Sequence, residues 1–272
     1  MTGEYVLGRT PSEAERLQIQ GRLFAPYSAH LLRMAGIAAG MRVLDVGCGA
    51  GDVSLLLAEA VGPDGTVTGI DVDPAILVLA RARAAEAGLA NVSFRAGDLA
   101  DLRLEEPADA VAGRLILLHV KSPAATVRAV SRLVRPGGLV TFQEINMPRC
   151  RAVPATPLAT RYIGWTIDAF RAAGVNPNLG EQVASLLGEA GLTVEGVASA
   201  NVGRPADSVM PRYLADTFRS VLPALVAHGW VTEAVAGADT LHERLARECE
   251  EANATLWMPE LVASWARVPV TT

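Results

Sequence analysis

The chain has 272 residues, half of them hydrophobic, and a formal net charge of −5. That length suits one large α/β domain, or such a domain with an elaborated lid. The acidic balance argues against a nucleic-acid backbone as the main partner, because phosphate binding needs concentrated Lys and Arg. The short basic stretch from Arg81 to Arg83 is interrupted by alanine and reads as a solvated helix face. Cys48, Cys150 and Cys249 are too far apart for a disulfide framework or a zinc pattern, so a reduced, cytoplasmic protein without a metal is expected. The first nine residues lack the basic segment and apolar run of a signal peptide, and no stretch of 18 residues is continuously apolar, so no membrane span is expected.

In chain order, residues 1–35 have a helical pattern, with Glu13, Glu15 and Arg16 polar and Leu17, Leu23, Leu31 and Leu32 apolar. Strands and helices then alternate, which favours a parallel sheet. A strand at about 42–46 precedes a helix that opens at Asp52 and stops at Gly62-Pro63-Asp64-Gly65. A second strand spans 66–72. Asp73-Pro74 then supplies an N-cap and a first-turn proline for a helix running to Gly88. Strands follow at 92–95 and about 108–112. A helix over 124–134 ends at Arg135-Pro136-Gly137-Gly138, the turn before a fifth strand at 139–145. Residues 154–191 read as two helices, 192–202 as a sixth strand, 205–252 as helical again, and 260–268 as a seventh strand.

The segment Val43-Leu44-Asp45-Val46-Gly47-Cys48-Gly49-Ala50-Gly51 carries the most functional information. A buried strand ends in alternating glycines and runs into a helix N-terminus, which makes a nucleotide-sized cradle where backbone can approach a ligand. It departs from the Gly-x-Gly-x-x-Gly dinucleotide fingerprint, because Asp52 stands at the third glycine position and Asp45 lies two residues before the first. Twenty residues past the turn, in Gly69-Ile70-Asp71-Val72-Asp73, a carboxylate ends the second strand, where it can accept bonds from both ribose hydroxyls. Asp71 is favoured for that role because Asp73 is better placed to cap the next helix.

With Gly97-Asp98-Leu99, the strand end from Asp109 to Arg114, and Arg135-Pro136-Gly137-Gly138, these motifs make five ordered signals between about residues 40 and 144. In them the chain resembles the class I S-adenosylmethionine-dependent methyltransferases. The resemblance implies a doubly wound, Rossmann-like α/β sheet of about seven strands, the last antiparallel. N-terminal helices over 1–35 and a helical cap over 205–253 would flank a core of 36–204 and 254–272. It also implies S-adenosylmethionine as cofactor, held by Asp45, Gly47, Cys48, Gly49, Gly51, Asp71 and Val72. Asp98, between Gly97 and Leu99, would meet the adenine amine. Arg114 would meet the methionyl end or form a surface ion pair. Tyr5 and Gln20 belong to a segment that folds over the cofactor in many relatives, although ordinary packing suits Tyr5.

The implied reaction is methyl transfer to a small organic acceptor of the quinone or natural-product type. The acceptor would lie beyond the fourth and fifth strands. Two candidates for a general base fall there. His119 either takes a proton or packs beneath the loop, and Glu144 either takes a proton or holds structure. His30 and His228 stand in reserve. Trp165, Tyr213, Trp230 and Trp257 line an aromatic-accepting pocket or belong to the core. The same motifs would also serve a cyclase or rearrangement enzyme on this fold, or a regulator that binds the cofactor without chemistry. Monomer and homodimer are both open.

Overall fold

The computed structural model describes residues 11–270. Helix α1 (Pro11–Ala35) leads into β1 (Arg42–Val46), α2 (Asp52–Val61), β2 (Thr66–Asp71), α3 (Pro74–Glu86) and β3 (Val92–Ala96). Then come β4 (Ala108–Arg114), α4 (Pro123–Ser131), β5 (Val134–Asn146), β6 (Arg151–Val153), α5 (Pro157–Ala172) and α6 (Leu179–Glu189). The remainder is β7 (Thr193–Ala200), β8 (Gly203–Arg204), α7 (Met210–Ala227), α8 (Glu233–Ala236), α9 (Leu241–Glu251), β9 (Thr255–Trp257) and β10 (Glu260–Arg267). Tyr5 lies outside the described residues.

Seven strands form one sheet in the order β3-β2-β1-β4-β5-β10-β7, in which β10 is antiparallel to both neighbours. The doubly wound sheet with an antiparallel last strand matches the expected fold class. β1 is buried from Val43 to Val46 and pairs in parallel with β2 and β4, as a continuous apolar run requires. Alternation sends its side chains to opposite faces. Val43 packs with Leu32, Val53, Leu57 and Val61 of α1 and α2. Leu44 and Val46 share a cluster with Val127 and Val130 of α4 and Val183 and Leu187 of α6. The strand order reverses between β1 and β4, so a crevice opens at their carboxyl ends.

Three features differ from the expected pattern. Residues 135–138 are absorbed into β5 as a bulge, the β4 register passing from Ala108–Val134 to Ala110–Leu139. Gly138 packs there, where a Cβ would lie 2.8 Å from the Asp109 carbonyl. A second sheet, β6-β9-β8, joins segments before and after the helical insertion; its strands of two or three residues are too short to show periodicity. The helical stretch after residue 205 is divided into α7, the single turn of α8, and α9. These helices form a further apolar cluster with α1 and α5 through Phe218, Val221, Leu245, Ile19, Leu23 and Tyr162.

Candidate active site

The turn after β1 has left-handed backbone at Gly47 (φ 67°), Gly49 (φ 51°) and Gly51 (φ 84°). The first two glycines answer different needs. A Cβ on Gly47 would lie 2.5 Å from the Ile116 side chain, whereas one on Gly49 would meet nothing within 4 Å among the described residues. Gly47 is therefore a packing glycine, and Gly49 faces open space. Across the turn, Asp71 Oδ2 accepts the Gly49 N–H at 2.9 Å and Oδ1 accepts the Asp73 N–H at 3.0 Å. Asp73 Oδ1 accepts the Ala75 N–H at 2.9 Å and caps α3, with Pro74 in its first turn. Asp98 Oδ1 accepts the Ala100 N–H at 3.0 Å, a bond that holds its carboxyl below the ordinary range.

Beneath the turn lies a set of buried charges. Asp45 receives the Ser54 hydroxyl at 2.5 Å, yet burial pushes its pKa up to about 7 against that bond and the charge of Arg114. Arg114, at the end of β4, has a side chain only 7% exposed and donates to Ser28 Oγ of α1 at 3.0 Å. Burial also lowers its pKa, opposed by Asp52 and Asp45. Asp52, the first residue of α2, takes an ion pair from Arg83 at 2.7 Å. The Ser28 carbonyl accepts from Gln143 Nε2 at 3.3 Å. Ser28 thus ties α1 to the ends of both β4 and β5.

A cavity of about 770 Å³ opens over these ends. Of the residues singled out from sequence, Gln20, Asp45, Gly47, Cys48, Gly49, Asp71 and Val72 line it, as do Gly97, Asp98, Leu99, Arg114 and His119. Gln20 accepts from Arg16 Nη1 at 2.6 Å. Burial raises the Cys48 thiol, which stays protonated and inert. Gly51 falls outside the wall; it precedes α2 and faces Phe94 and Ala80.

Glu144 lies apart from the other candidates. Its side chain is fully buried and does not line the cavity. Oε1 accepts the N–H groups of Ile116 (3.0 Å) and Leu117 (2.7 Å), and Oε2 has no partner among the described residues. Burial outweighs those bonds and pushes its pKa up to about 8. Alternation along β5 gave the face of the residue but not its depth. His119 does line the cavity; burial, helped by the charge of Arg16, holds its pKa near 4, so the imidazole is neutral at pH 7.

Among the aromatic candidates only Tyr213 reaches the cavity wall. Trp165 packs on Tyr162 and Phe218, Trp230 is exposed and stacks on His228, and Trp257 lies under the Arg151 guanidinium. His30 and His228 are exposed. Sequence reasoning missed Arg16, Asp52, Leu115, Met147, Phe170 and Thr217 as wall residues. Leu115 had a local signal to offer, since it follows Gly113-Arg114 at a strand end, and its φ of 55° marks the bend there. Phe170 and Thr217 come from helices far along the chain and had none.

Residues 37–167 match a family model described as a methyltransferase domain. A ubiquinone biosynthesis O-methyltransferase of Paracidovorax citrulli is 46% identical over 110 residues, covering 39% of this chain and 44% of the relative. The chain thus spans less than half the length of that relative. The solved structure of the [4+2]-cyclase SpnF superposes with a TM-score of 0.55 at 21% identity, covering 91% of this chain and 82% of the other. An S-adenosylmethionine-dependent methyltransferase from Aquifex aeolicus gives 0.53 at 22% identity, covering 70% and 93%. At such identities the two structures establish the fold alone. The sequence match falls on the stretch that builds the glycine turn and the Asp71 carboxylate, so the likeness of this chain to a methyltransferase domain is carried by residues 37–167.

Proposed function

We propose that this chain transfers a methyl group from S-adenosylmethionine to a small organic acceptor of the quinone or natural-product kind, in the cytoplasm. The observation that carries the reading is the open approach over Gly49 beside the Asp71 carboxylate, at the mouth of a cavity that continues past the cofactor elements. The residues suit this cofactor. Asp71 would accept the ribose hydroxyls, Asp98 the adenine amine, and the backbone at Gly47, Cys48 and Gly49 would approach the nucleoside closely. The buried acid Asp45 and the base Arg114 suit the zwitterionic methionyl end, with Gln20 above it. When bound, the cofactor supplies a methyl group on a positively charged sulfonium. The chain's own task is alignment and the exclusion of water.

The helical segments fit the roles of lid and cap in this reading, since α1 contributes Arg16 and Gln20 to the wall and α7 contributes Tyr213 and Thr217. Three buried free thiols suit a reducing compartment. Among the described residues no helix is long and apolar enough to cross a membrane. The test is mass spectrometry of S-adenosylhomocysteine formed against a panel of phenols, amines, carboxylates and enolisable carbonyls, with a labelled methyl group followed into the product. Binding of the cofactor without label transfer to any acceptor would instead favour a non-methylating role.

A further inference from the structure

The cavity follows the order in which the strands lie. Asp98 comes after β3, Asp71 ends β2, Gly47 and Gly49 follow β1, and Arg114 ends β4. With the cofactor laid across those ends, its methionyl portion would lie over Arg114, and the chamber left for the acceptor begins beyond it. Five described residues after position 144 line that chamber: Ile145, Met147, Phe170, Tyr213 and Thr217. The first three are apolar, so the polar side chains on this side are the two hydroxyls of α7.

Those hydroxyls are not equivalent. They stand one helical turn apart, and Thr217 Oγ1 donates to the Tyr213 carbonyl at 2.8 Å, which turns its proton back onto the helix. The Tyr213 phenol reaches across to the other half of the cavity, within electrostatic range of the Arg114 guanidinium. It stands where the cofactor elements meet the apolar chamber. Its place is fixed, because Tyr213 is 3% exposed and belongs to the apolar cluster that joins α7 to Ile19 and Leu23 of α1 and to Tyr162 and Phe170 of α5. A phenol oxygen can donate one hydrogen bond and accept two, so it has capacity for a ligand alongside a protein partner.

We propose that Tyr213 binds the methyl acceptor: its Oη accepts a hydrogen bond from the O–H or N–H on the nucleophilic atom and so aims that atom's lone pair at the methyl group. The proposal rests on the methyl-transfer reading above. The acceptor class that fits is an alcohol, phenol or primary or secondary amine on an apolar body seated against Met147 and Phe170. Each of these carries the hydrogen that the contact needs, and none has to be ionised to make it. A tertiary amine, a thioether or a carbon nucleophile gains nothing from the contact. Holding one lone pair in line is the alignment that such a transfer requires.

The test is a thermodynamic cycle on the protein saturated with S-adenosylhomocysteine, with 1-naphthol and naphthalene as probes and Tyr213→Phe as the variant. Calorimetry on wild type should show 1-naphthol bound about two- to tenfold more tightly than naphthalene, the contribution of one hydrogen bond. In a chamber that offers the hydroxyl no partner, the more apolar naphthalene would bind at least as well. In Tyr213→Phe the preference should vanish through weaker binding of 1-naphthol alone, whereas loss of a ring that only packs would move both probes together. Equal binding of the two probes by wild type, no binding of 1-naphthol, or a preference that survives in Tyr213→Phe would overturn the proposal. The wild-type comparison stands by itself if the variant does not fold. Failure of the methyl-transfer reading is seen separately: S-adenosylhomocysteine would not bind before any probe is added, or none would form from S-adenosylmethionine with any acceptor of the panel although the preference for 1-naphthol held.

Discussion

Gly21 of α1 faces Asp52 of α2 with no room between them: a Cβ at Gly21 would lie 2.5 Å from Asp52 Oδ1 and 2.7 Å from its Cγ. Asp52 is not free to turn aside, because Arg83 Nη2 holds Oδ1 at 2.7 Å and Arg114 lies 4.0 Å from Oδ2. The first helix is therefore seated on the buried charges of the site by an absent side chain. Gly21→Ala would gain up to about 1 kcal/mol of helix propensity. Against that, overpacking costs about 1–3 kcal/mol. The expected result is a net loss of stability in urea denaturation together with weaker cofactor binding, since lifting α1 displaces Arg16 and Gln20. A stabilised variant with unchanged affinity would show that the contact is slack.

The two acids after β2 should separate cleanly. Asp71→Ala removes the carboxylate that spans the glycine turn and is expected to weaken S-adenosylmethionine binding by about 1.5–3 kcal/mol, the range for hydrogen bonds to charged groups. Asp73→Ala loses the cap on Ala75 and should lower stability by about 1 kcal/mol with affinity nearly intact. Calorimetry and denaturation on both variants decide it; the reverse pattern would exchange their roles.

Gly49 and Gly47 give a second contrast. Both have left-handed backbone, which costs a residue with a Cβ about 1–2 kcal/mol. In Gly49→Ala the methyl meets no atom of the described residues within 4 Å, so the stability loss should stop there. Cofactor affinity should fall further, by about tenfold or more, because the methyl occupies the approach. Gly47→Ala adds a clash with Ile116 and should be the less stable of the two. A folded Gly49→Ala variant with wild-type affinity would remove the basis for placing the cofactor over this turn.

These residues also show which parts of the molecule could be read from the sequence. The glycine turn, Asp71 and the Asp73 cap are written within a few residues of a strand end, and the structure brings them together as the local pattern requires. The Gly21–Asp52 contact joins positions 31 residues apart through a helix packing angle, for which no spacing rule exists. The chamber residues Phe170, Tyr213 and Thr217 come from α5 and α7, whose periodicity gives a buried face but not the element it meets. The small β6-β9-β8 sheet escaped for want of length. A period of two gives the face of the sheet on which Glu144 lies, but not the turn after β4 whose Ile116 and Leu117 N–H groups bond its carboxylate.

That turn makes Glu144 the most informative position to alter. A fully buried carboxyl with a pKa near 8, against an ordinary 4.5, binds its proton more tightly in the folded chain than in the unfolded one. Its stabilising contribution is therefore complete below about pH 4.5 and is lost as pH rises through about 8. Asp45, raised from 3.8 to about 7, acts with the same sign. His119, lowered from 6.5 to about 4, acts with the opposite one, its contribution present above pH 6.5 and lost as pH falls through 4. Comparing wild type with Glu144→Gln cancels both, because the amide cannot ionise while its oxygen can still accept from Ile116 and Leu117. The variant should lose less stability than wild type between about pH 5 and pH 9. Glu144→Ala strips both N–H groups of their acceptor and should cost about 1–3 kcal/mol at any pH. Parallel pH curves for wild type and Glu144→Gln would mean that the carboxylate is ionised throughout and held as an anion by the turn. Turnover supplies the second reading. A residue that holds Leu115, Ile116 and His119 in place should tolerate the amide, leaving kcat within about tenfold of wild type, whereas a general base would lose about 10²–10⁴-fold. A loss in that larger range, with cofactor affinity and fold retained, would show that the turn opens during the reaction and exposes Glu144 to the acceptor.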